Sequence, residues 1–196
     1  MASRTRRHYR GAPPEERRAQ RREQLLLAAI QVYGERGYRN ATVKAVCEAA
    51  GLTERYFYES FANSEALLAA AYQAVVQHLL RELAATGAGA GGPPEAKVRA
   101  ILAAYYSKLR DDPRSARLFL VEVAGVSPDV DEVLADSLGR FGELLADTLG
   151  ARPDPMLRTG VVGGVLHIAL GWVGGGYREP IDEVVDAALS LCLLLK

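Results

Sequence analysis

The sequence is poor in cysteine and aromatic residues and has no excess of either charge. Of its 196 residues only two are cysteines, Cys47 and Cys192, which stand far apart and match no metal-ligand spacing. Neither a disulfide scaffold nor a metal site is therefore expected, and both read as small core residues in a reducing compartment. Lys+Arg and Asp+Glu are 24 each. A zero balance excludes a chain that is basic throughout, and with it a general DNA-packaging protein. Met1–Gly11 is Arg-rich with no apolar stretch, so it does not read as a secretory signal. The longest uncharged run, Thr159–Tyr177, is 19 residues long, at the edge of membrane-span length. It holds seven glycines and His167 and is closely bracketed by charge, so a buried helix of a soluble protein is expected rather than a span. No apolar–polar alternation of useful length appears, which excludes a sheet. The fold class is all-α.

Charge is separated along the chain although it sums to zero. Residues 1–64 hold 12 basic and 7 acidic side chains, and the remainder holds 12 and 17, a net of +5 followed by −5. That asymmetry points to an N-terminal part facing nucleic acid, joined to something else. Three segments follow: a basic flexible arm over 1–14, a DNA-binding unit over 15–63, and a larger unit over 64–196.

Proline and glycine punctuate about nine helices. Pro14 with Glu15 and Glu16 suits a helix start, and Leu26, Ala29, Ile30 and Tyr33 form one apolar face. This helix should stop near Gly34–Gly37, with Gly37 as a left-handed cap. Thr42 is an N-cap for a short helix over Val43–Ala50, with Val43, Val46, Cys47 and Ala50 inward. Gly51 ends it, and Thr53 caps another short helix reaching about Phe61. Ser64 caps a long helix whose apolar face runs through Leu67, Leu68, Ala71, Val75, Leu79 and Leu83. Thr86–Pro94 reads as a flexible Gly/Ala/Pro loop. Helices are then expected over 95–111, 114–124, 128–149, 154–176 and 180–195.

Two short helices joined by a glycine turn, the second polar outside, make a helix-turn-helix. The first must cross the second closely, hence the small Cys47 and Ala50. The turn must tolerate positive φ, hence Gly51. Phe57 and Phe61 hold the second helix from behind, so that its outer face can enter the major groove.

These residues carry a resemblance. Ala41-Thr42-Val43, then Val46 to Thr53, Phe57-Tyr58, Phe61 and Ser64-Glu65-Ala66-Leu67-Leu68 resemble the DNA-binding region of TetR-type transcriptional repressors, as does the preceding Tyr33-Gly34-Glu35-Arg36-Gly37-Tyr38. The resemblance covers about residues 22–70. It implies an all-helical homodimer with an N-terminal DNA reader and a C-terminal part that binds a small effector and dimerises. Three departures stand out: Cys47 replaces a usual alanine, Ser64 a usual phosphate-binding lysine, and Glu54 and Glu59 lie on the reading helix. At least one of these acids is expected to read a cytosine amino group or pair with Arg55.

The DNA-contact candidates are Thr42, Lys44, Thr53, Glu54, Arg55, Tyr56, Tyr58 and Ser64. The resemblance implies a phosphate contact at Tyr58. Arg55 and Tyr56 suit base edges, Thr53 and Lys44 the backbone. Arg4, Arg6, Arg7, Arg10, Arg17, Arg18, Arg21 and Arg22 are expected to form a disordered arm on phosphate or a narrow minor groove. For an effector pocket between the later helices the candidates are the aromatic Tyr72, Tyr105, Phe119 and Phe141 and the polar Glu122 and His167, with plain core packing as the alternative for each. For the dimer interface, which the resemblance assigns to the last two long helices, they are Gly160, Gly164, Gly171, Val184, Ala188 and Leu191. No catalytic constellation accompanies the three histidines, so an enzyme is not expected, nor is any cofactor. The reading is a cytoplasmic, ligand-responsive regulator, most simply a repressor with an activator as the alternative. Its expected partners are a double-stranded operator, a small apolar effector and a second copy of the chain.

Overall fold

A computed structural model describes residues 13–196; of the arm expected over 1–14, residues 1–12 lie outside them and Pro14 already begins a helix. Nine helices are present among the described residues, and no strand. The first three are α1 (Pro14–Arg36), α2 (Val43–Ala50) and α3 (Glu54–Ser60). They are followed by α4 (Ser64–Gly89), α5 (Pro94–Asp111) and α6 (Pro113–Arg117). The last three are α7 (Pro128–Leu149), α8 (Pro155–Gly174) and α9 (Ile181–Cys192). Proline stands in the first turn of α1, α5, α6, α7 and α8, where its missing N–H costs nothing.

The helix-turn-helix forms as its local chemistry dictates. Thr42 accepts the Ala45 N–H at 3.1 Å and so caps α2. Gly51 takes φ +66° and ψ 28°, the left-handed conformation that closes α2, and Leu52 N–H reaches back to the Cys47 carbonyl at 2.9 Å. Val46, Cys47 and Phe57 are buried, while Val43 and Ala50 are half-buried. Thr53 stands at the N-cap of α3 without a side-chain hydrogen bond.

Several expectations are corrected. The cap of α4 is Asn63, whose carbonyl Oδ1 accepts the Ala66 N–H at 2.8 Å; Ser64 is already inside the helix. The buried side of α1 is rotated by one position and centres on Leu25, Ala28, Ala29, Val32 and Tyr33, with Leu26 and Ile30 at its margin. Gly37 takes φ +79° with an extended ψ of 149°, so it ends α1 without a left-handed cap. The glycines after Thr86 do not form a loop: α4 continues to Gly89, leaving only residues 90–93 outside helices. A Cβ at Gly87 would come within 2.7 Å of Ile101 Cδ1, so α4 and α5 meet there closely only because Gly87 has no side chain. The helix expected over 114–124 is α6 followed by a π-helical turn over Leu118–Glu122. The expected 180–195 helix ends at Cys192 and tightens to a 3₁₀ turn over Leu193–Leu195.

The core runs continuously from the helix-turn-helix to α9. Arg99 of α5 pairs with Asp182 and Asp186 of α9, and Lys196 with Glu95. Burial pushes the thiol pKa of Cys192 up to about 12 and also raises that of Cys47. Both cysteines are free and buried. The expected burial of the apolar 159–177 stretch holds for only one face of α8. Val161, Val162, Val165, Ala169 and Trp172 are inside, whereas Met156, Gly160, Gly163, His167 and Leu170 face outward. That helix is long and apolar enough to cross a membrane by length and composition. Its inner face packs on α7 and α9 as a core helix does.

α1 and α6 approach each other closely at Gly34, near the end of α1. A Cβ there would lie 2.7 Å from both the Cβ and the carbonyl oxygen of Arg114. Gly34→Ala must push α6 off α1 and should lower unfolding stability by about 1–3 kcal/mol. Gly139 in α7 has open space around it. Gly139→Ala should therefore stabilise the protein by up to about 1 kcal/mol. Denaturant titration of the two variants checks both signs.

Candidate nucleic-acid interface and effector region

The arginines expected in a disordered arm are in part a brace. Arg17, Arg18, Arg21 and Arg22 lie on α1, which corrects their assignment to the arm. Arg18 donates to the Glu59 carbonyl at 2.8 Å, and Arg21 approaches the Glu59 carboxylate at 3.7 Å. The Arg21 guanidinium also covers the Tyr56 ring at 4.4 Å, and that of Arg22 covers Phe61 at 4.8 Å. α3 is thus gripped by apolar packing at Phe57 and by cations along its flank.

That grip sorts the DNA-contact candidates. Tyr58 is 61% exposed and points away from the core, its ring edge-on to Phe57. Glu54 and Arg55 are exposed beside it, and so is Thr53. Arg55 donates to Glu59 at 3.0 Å, one of the two outcomes expected for the acids of this helix. Tyr56 is half-buried under Arg21, so its ring is turned toward α1 rather than outward. Thr42 is engaged as a cap, and Lys44 forms an exposed pair with Glu48 at 3.9 Å. Ser64 is half-buried, with its hydroxyl 3.2 Å from that of Tyr38.

Four of the effector candidates come together. Tyr72 and Phe119 stack with centroids 5.9 Å apart, and Tyr105 meets Phe119 at 6.2 Å and Phe141 at 5.4 Å. At these separations the rings themselves occupy the space between α4, α5 and α7. Tyr106 joins them and donates to the Val165 carbonyl at 3.1 Å. The Tyr72 and Tyr105 hydroxyls have no hydrogen-bond partner among the described residues. Burial raises the pKa of both, most strongly at Tyr105. Ser137 is the one buried polar side chain beside them, and it donates to the Val133 carbonyl at 2.8 Å.

The other two effector candidates lie elsewhere. His167 is on the outer face of α8, where it lines a shallow groove of about 540 Å³ with Gly171, Trp172 and Val184. Glu122 is not in the aromatic interior. Its carboxylate accepts the Tyr38 backbone N–H at 2.7 Å and Arg117 Nε–H at 2.8 Å, against Gly37. Arg114 adds an ion pair to Glu35 at 2.8 Å. Together these side chains fasten the α6 region to the end of α1, a junction the sequence reading missed. A lone acid in an apolar stretch was the only signal, and it suggested a ligand contact instead.

The dimer-interface candidates divide similarly. Val184 and Ala188 are buried within the protomer, and the Leu191 side chain sits where a Cβ on Gly164 would be. Those four therefore pack α8, α9 and α5 together within one chain. Gly160 and Gly171 remain on the outer face of α8, with open space around them. Among the described residues no group of three or more His, Cys, Asp or Glu side chains is placed to hold a metal ion.

This order of helices, with a capped α2, a left-handed glycine turn and an α3 held from behind, has known counterparts. Residues 25–71 match the family described as "Bacterial regulatory proteins, tetR family". That match covers about a quarter of the chain and falls on its helix-turn-helix. The HTH-type transcriptional regulator BetI of Stenotrophomonas maltophilia is 31% identical over 100 residues, 51% of this chain and 51% of that protein, so the match spans about half the length of that relative. The fold extends further than the sequence match. The fatty acid degradation regulator FadR from Bacillus halodurans superposes with a TM-score of 0.74 at 20% identity, covering 87% of this chain and 97% of that one. FadR from Bacillus subtilis, solved in complex with stearoyl-CoA, gives 0.73 at 17%, covering 87% and 96%. The helical architecture of these solved regulators thus extends over most of this chain.

The Glu122 junction can be checked directly. Glu122→Ala leaves the Tyr38 N–H and Arg117 without their acceptor and should cost about 1–3 kcal/mol of unfolding stability. Glu122→Gln keeps an acceptor and should cost less. Equal losses for the two variants would show that the negative charge of the carboxylate, rather than its acceptor oxygen or its bulk, holds the junction.

Proposed function

We propose that this protein is a cytoplasmic repressor that binds a pseudo-palindromic operator as a homodimer and releases it on binding a small, mostly apolar effector. The observation that carries the reading is the α3 surface. Arg55, Tyr58 and Glu54 stand exposed on a helix locked from behind by Phe57 and along its side by Arg18 and Arg21. A rigid helix with a polar exposed face suits insertion into the major groove. Tyr58 then meets a phosphate, while Arg55, released from Glu59, reads a guanine edge. Thr53 adds a backbone contact. Tyr56, Ser64, Thr42 and Lys44 position the head rather than read bases.

The second copy docks on the outer face of α8. Met156 is 82% exposed, and Leu157 and Leu170 are exposed on either side of Gly160, Gly163 and His167. Small residues let a partner helix approach closely, and burial of this apolar strip drives association. The two reading heads then face one side of the duplex, with half-sites about 34–36 Å apart or a multiple. An effector reaching the aromatic interior would bring a polar group to the unpartnered Tyr72 and Tyr105 hydroxyls. It would displace Phe119, which shares its π-helical turn with Glu122, and so shift the head. The stearoyl-CoA held by the Bacillus subtilis FadR lends support to an apolar ligand.

Binding titrations across single-base operator variants test the DNA contacts. Arg55→Ala should cost about 1–3 kcal/mol per half-site and relax the preference at one base pair. Tyr58→Phe should weaken all sequences alike. If Arg55→Ala left every base preference intact, the placement of α3 would be wrong. Gly163→Arg tests the second copy, because it places a charge on the outer α8 face where nothing within the protomer lies within 4 Å. Sedimentation should turn from dimer to monomer at micromolar concentration with helicity unchanged; a monomeric unmodified protein would refute the assembly.

A further inference from the structure

Two arginine side chains at the end of α1 pair with no carboxylate among the described residues. Arg36 closes α1, and Arg39 lies on the 3₁₀ turn Tyr38–Asn40 that follows it. Both are exposed. The charged groups around them are engaged elsewhere: Glu35 with Arg114, Glu122 with Arg117, and Lys44 with Glu48. Residues 1–12 contain no acid. Glu65, exposed in the first turn of α4, opposes the two arginines only in part. This end of α1 therefore carries a surplus of positive charge.

The turn that holds Arg39 is a fixed mount. Tyr38 donates its N–H to Glu122 at 2.7 Å, its hydroxyl lies 3.2 Å from that of Ser64, and its ring meets Tyr33 edge-on at 5.3 Å. On the other side, Asn40 Nδ2–H donates to the Arg36 carbonyl at 3.1 Å. Arg39 stands between these two anchored residues with its side chain in solvent, so little backbone freedom is left to lose when it meets a partner. The Tyr38–Ser64 contact sets the turn beside the amino end of α4, and Thr42 caps the amino end of α2 just beyond it. The positive ends of two helix dipoles add to the field of the arginines. On DNA the first helix of a helix-turn-helix crosses the phosphate backbone while the second enters the groove. Arg39 precedes the start of that first helix and is placed to reach the strand it crosses.

We propose that Arg39 binds a backbone phosphate of duplex DNA outside the groove that α3 enters, with Arg36 strengthening the field around it. The contact supplies from the α1–α2 turn the charge that Ser64 does not carry at the start of α4. It fixes the head on the duplex and reads no base. The proposal rests on the reading of α2 and α3 as a DNA-binding pair, and it concerns a surface apart from the α3 side chains and from the arm.

The test is the salt dependence of binding of the full chain to a mixed-sequence duplex of about 30 base pairs, followed by fluorescence anisotropy between about 50 and 200 mM salt. Mixed sequence suffices because a phosphate contact forms on any sequence. Arg39→Gln should lower the slope of log affinity against log salt by about 0.9 for each bound head, and Arg39→Lys should restore it. Arg178→Gln removes another exposed arginine, in the turn between α8 and α9, and should leave the slope unchanged. Three results would each overturn the contact while leaving the regulator reading intact: an unaltered slope for Arg39→Gln, no restoration by Arg39→Lys, or an equal loss for Arg178→Gln, since net charge alone would then account for it. Failure of the unmodified chain to bind the duplex would overturn both.

Discussion

The structure depends on one contact, the seating of α6 against the last turn of α1. Gly34 permits it, because any side chain there would collide with the Arg114 backbone. Polar groups then fasten it. Glu122 accepts from the Tyr38 N–H and from Arg117, and Arg114 pairs with Glu35. The Glu122 carboxylate is nearly buried, with about 10% of its surface exposed. It is therefore a charge that its donors must compensate, and removing them would leave it desolvated and alone. This contact, together with the packing of α1 on α4, joins the helix-turn-helix to the larger helical body. The same π-helical turn that carries Glu122 carries Phe119, whose ring reaches the aromatic interior. A π-turn is an irregular insertion in a helix that often marks a functional position. Here it places a packing residue and a fastening residue three positions apart.

Charge is distributed to serve the same end. The N-terminal excess of arginine suggests contact with phosphate, and part of it does something else first. Arg18, Arg21 and Arg22 clamp α3 and Phe61 through a carbonyl, a carboxylate and two ring faces. Guanidinium suits this work because it is planar and can donate a hydrogen bond and cover a ring at once. Short helices gain little stability of their own, so α3, seven residues long, takes its rigidity from α1.

Much of the local structure was legible because it is decided locally. Thr42 as a cap, Gly51 as the left-handed turn and Pro128 to Leu149 as one helix need no distant partner, and each is where the sequence placed it. What was misread depends on tertiary contact. Asn63 and Ser64 are both good caps, and only the geometry of the turn decides between them. The glycines after Thr86 read as a loop because glycine disfavours helix. The close approach of Ile101 to Gly87 reverses that preference. Glu122 and His167 both looked like polar groups in apolar helices. One is bound to a backbone amide 84 positions away and the other faces out from α8, and no local pattern distinguishes the two. Tyr72, Tyr105, Phe119 and Phe141, which the sequence offers as pocket lining or as plain core, meet in the interior, since large rings on inward faces have few other places to go.

α8 shows the limit of reading burial from composition. Its apolar stretch suggested a buried helix, and within the chain only one face is buried. The glycines divide by face. Gly164 is filled by Leu191 from α9, so it serves packing within the protomer, whereas Gly160, Gly163 and Gly171 meet nothing. A helix-interior glycine costs about 1 kcal/mol relative to alanine, and those on the inner side recover it through close packing. The outer ones recover nothing in a single chain, and with Met156, Leu157 and Leu170 they leave an apolar strip in water. A free-energy cost repeated along one face is recovered only if that face is covered, which is the physical ground for assigning a second copy to α8 rather than to the buried side of α9.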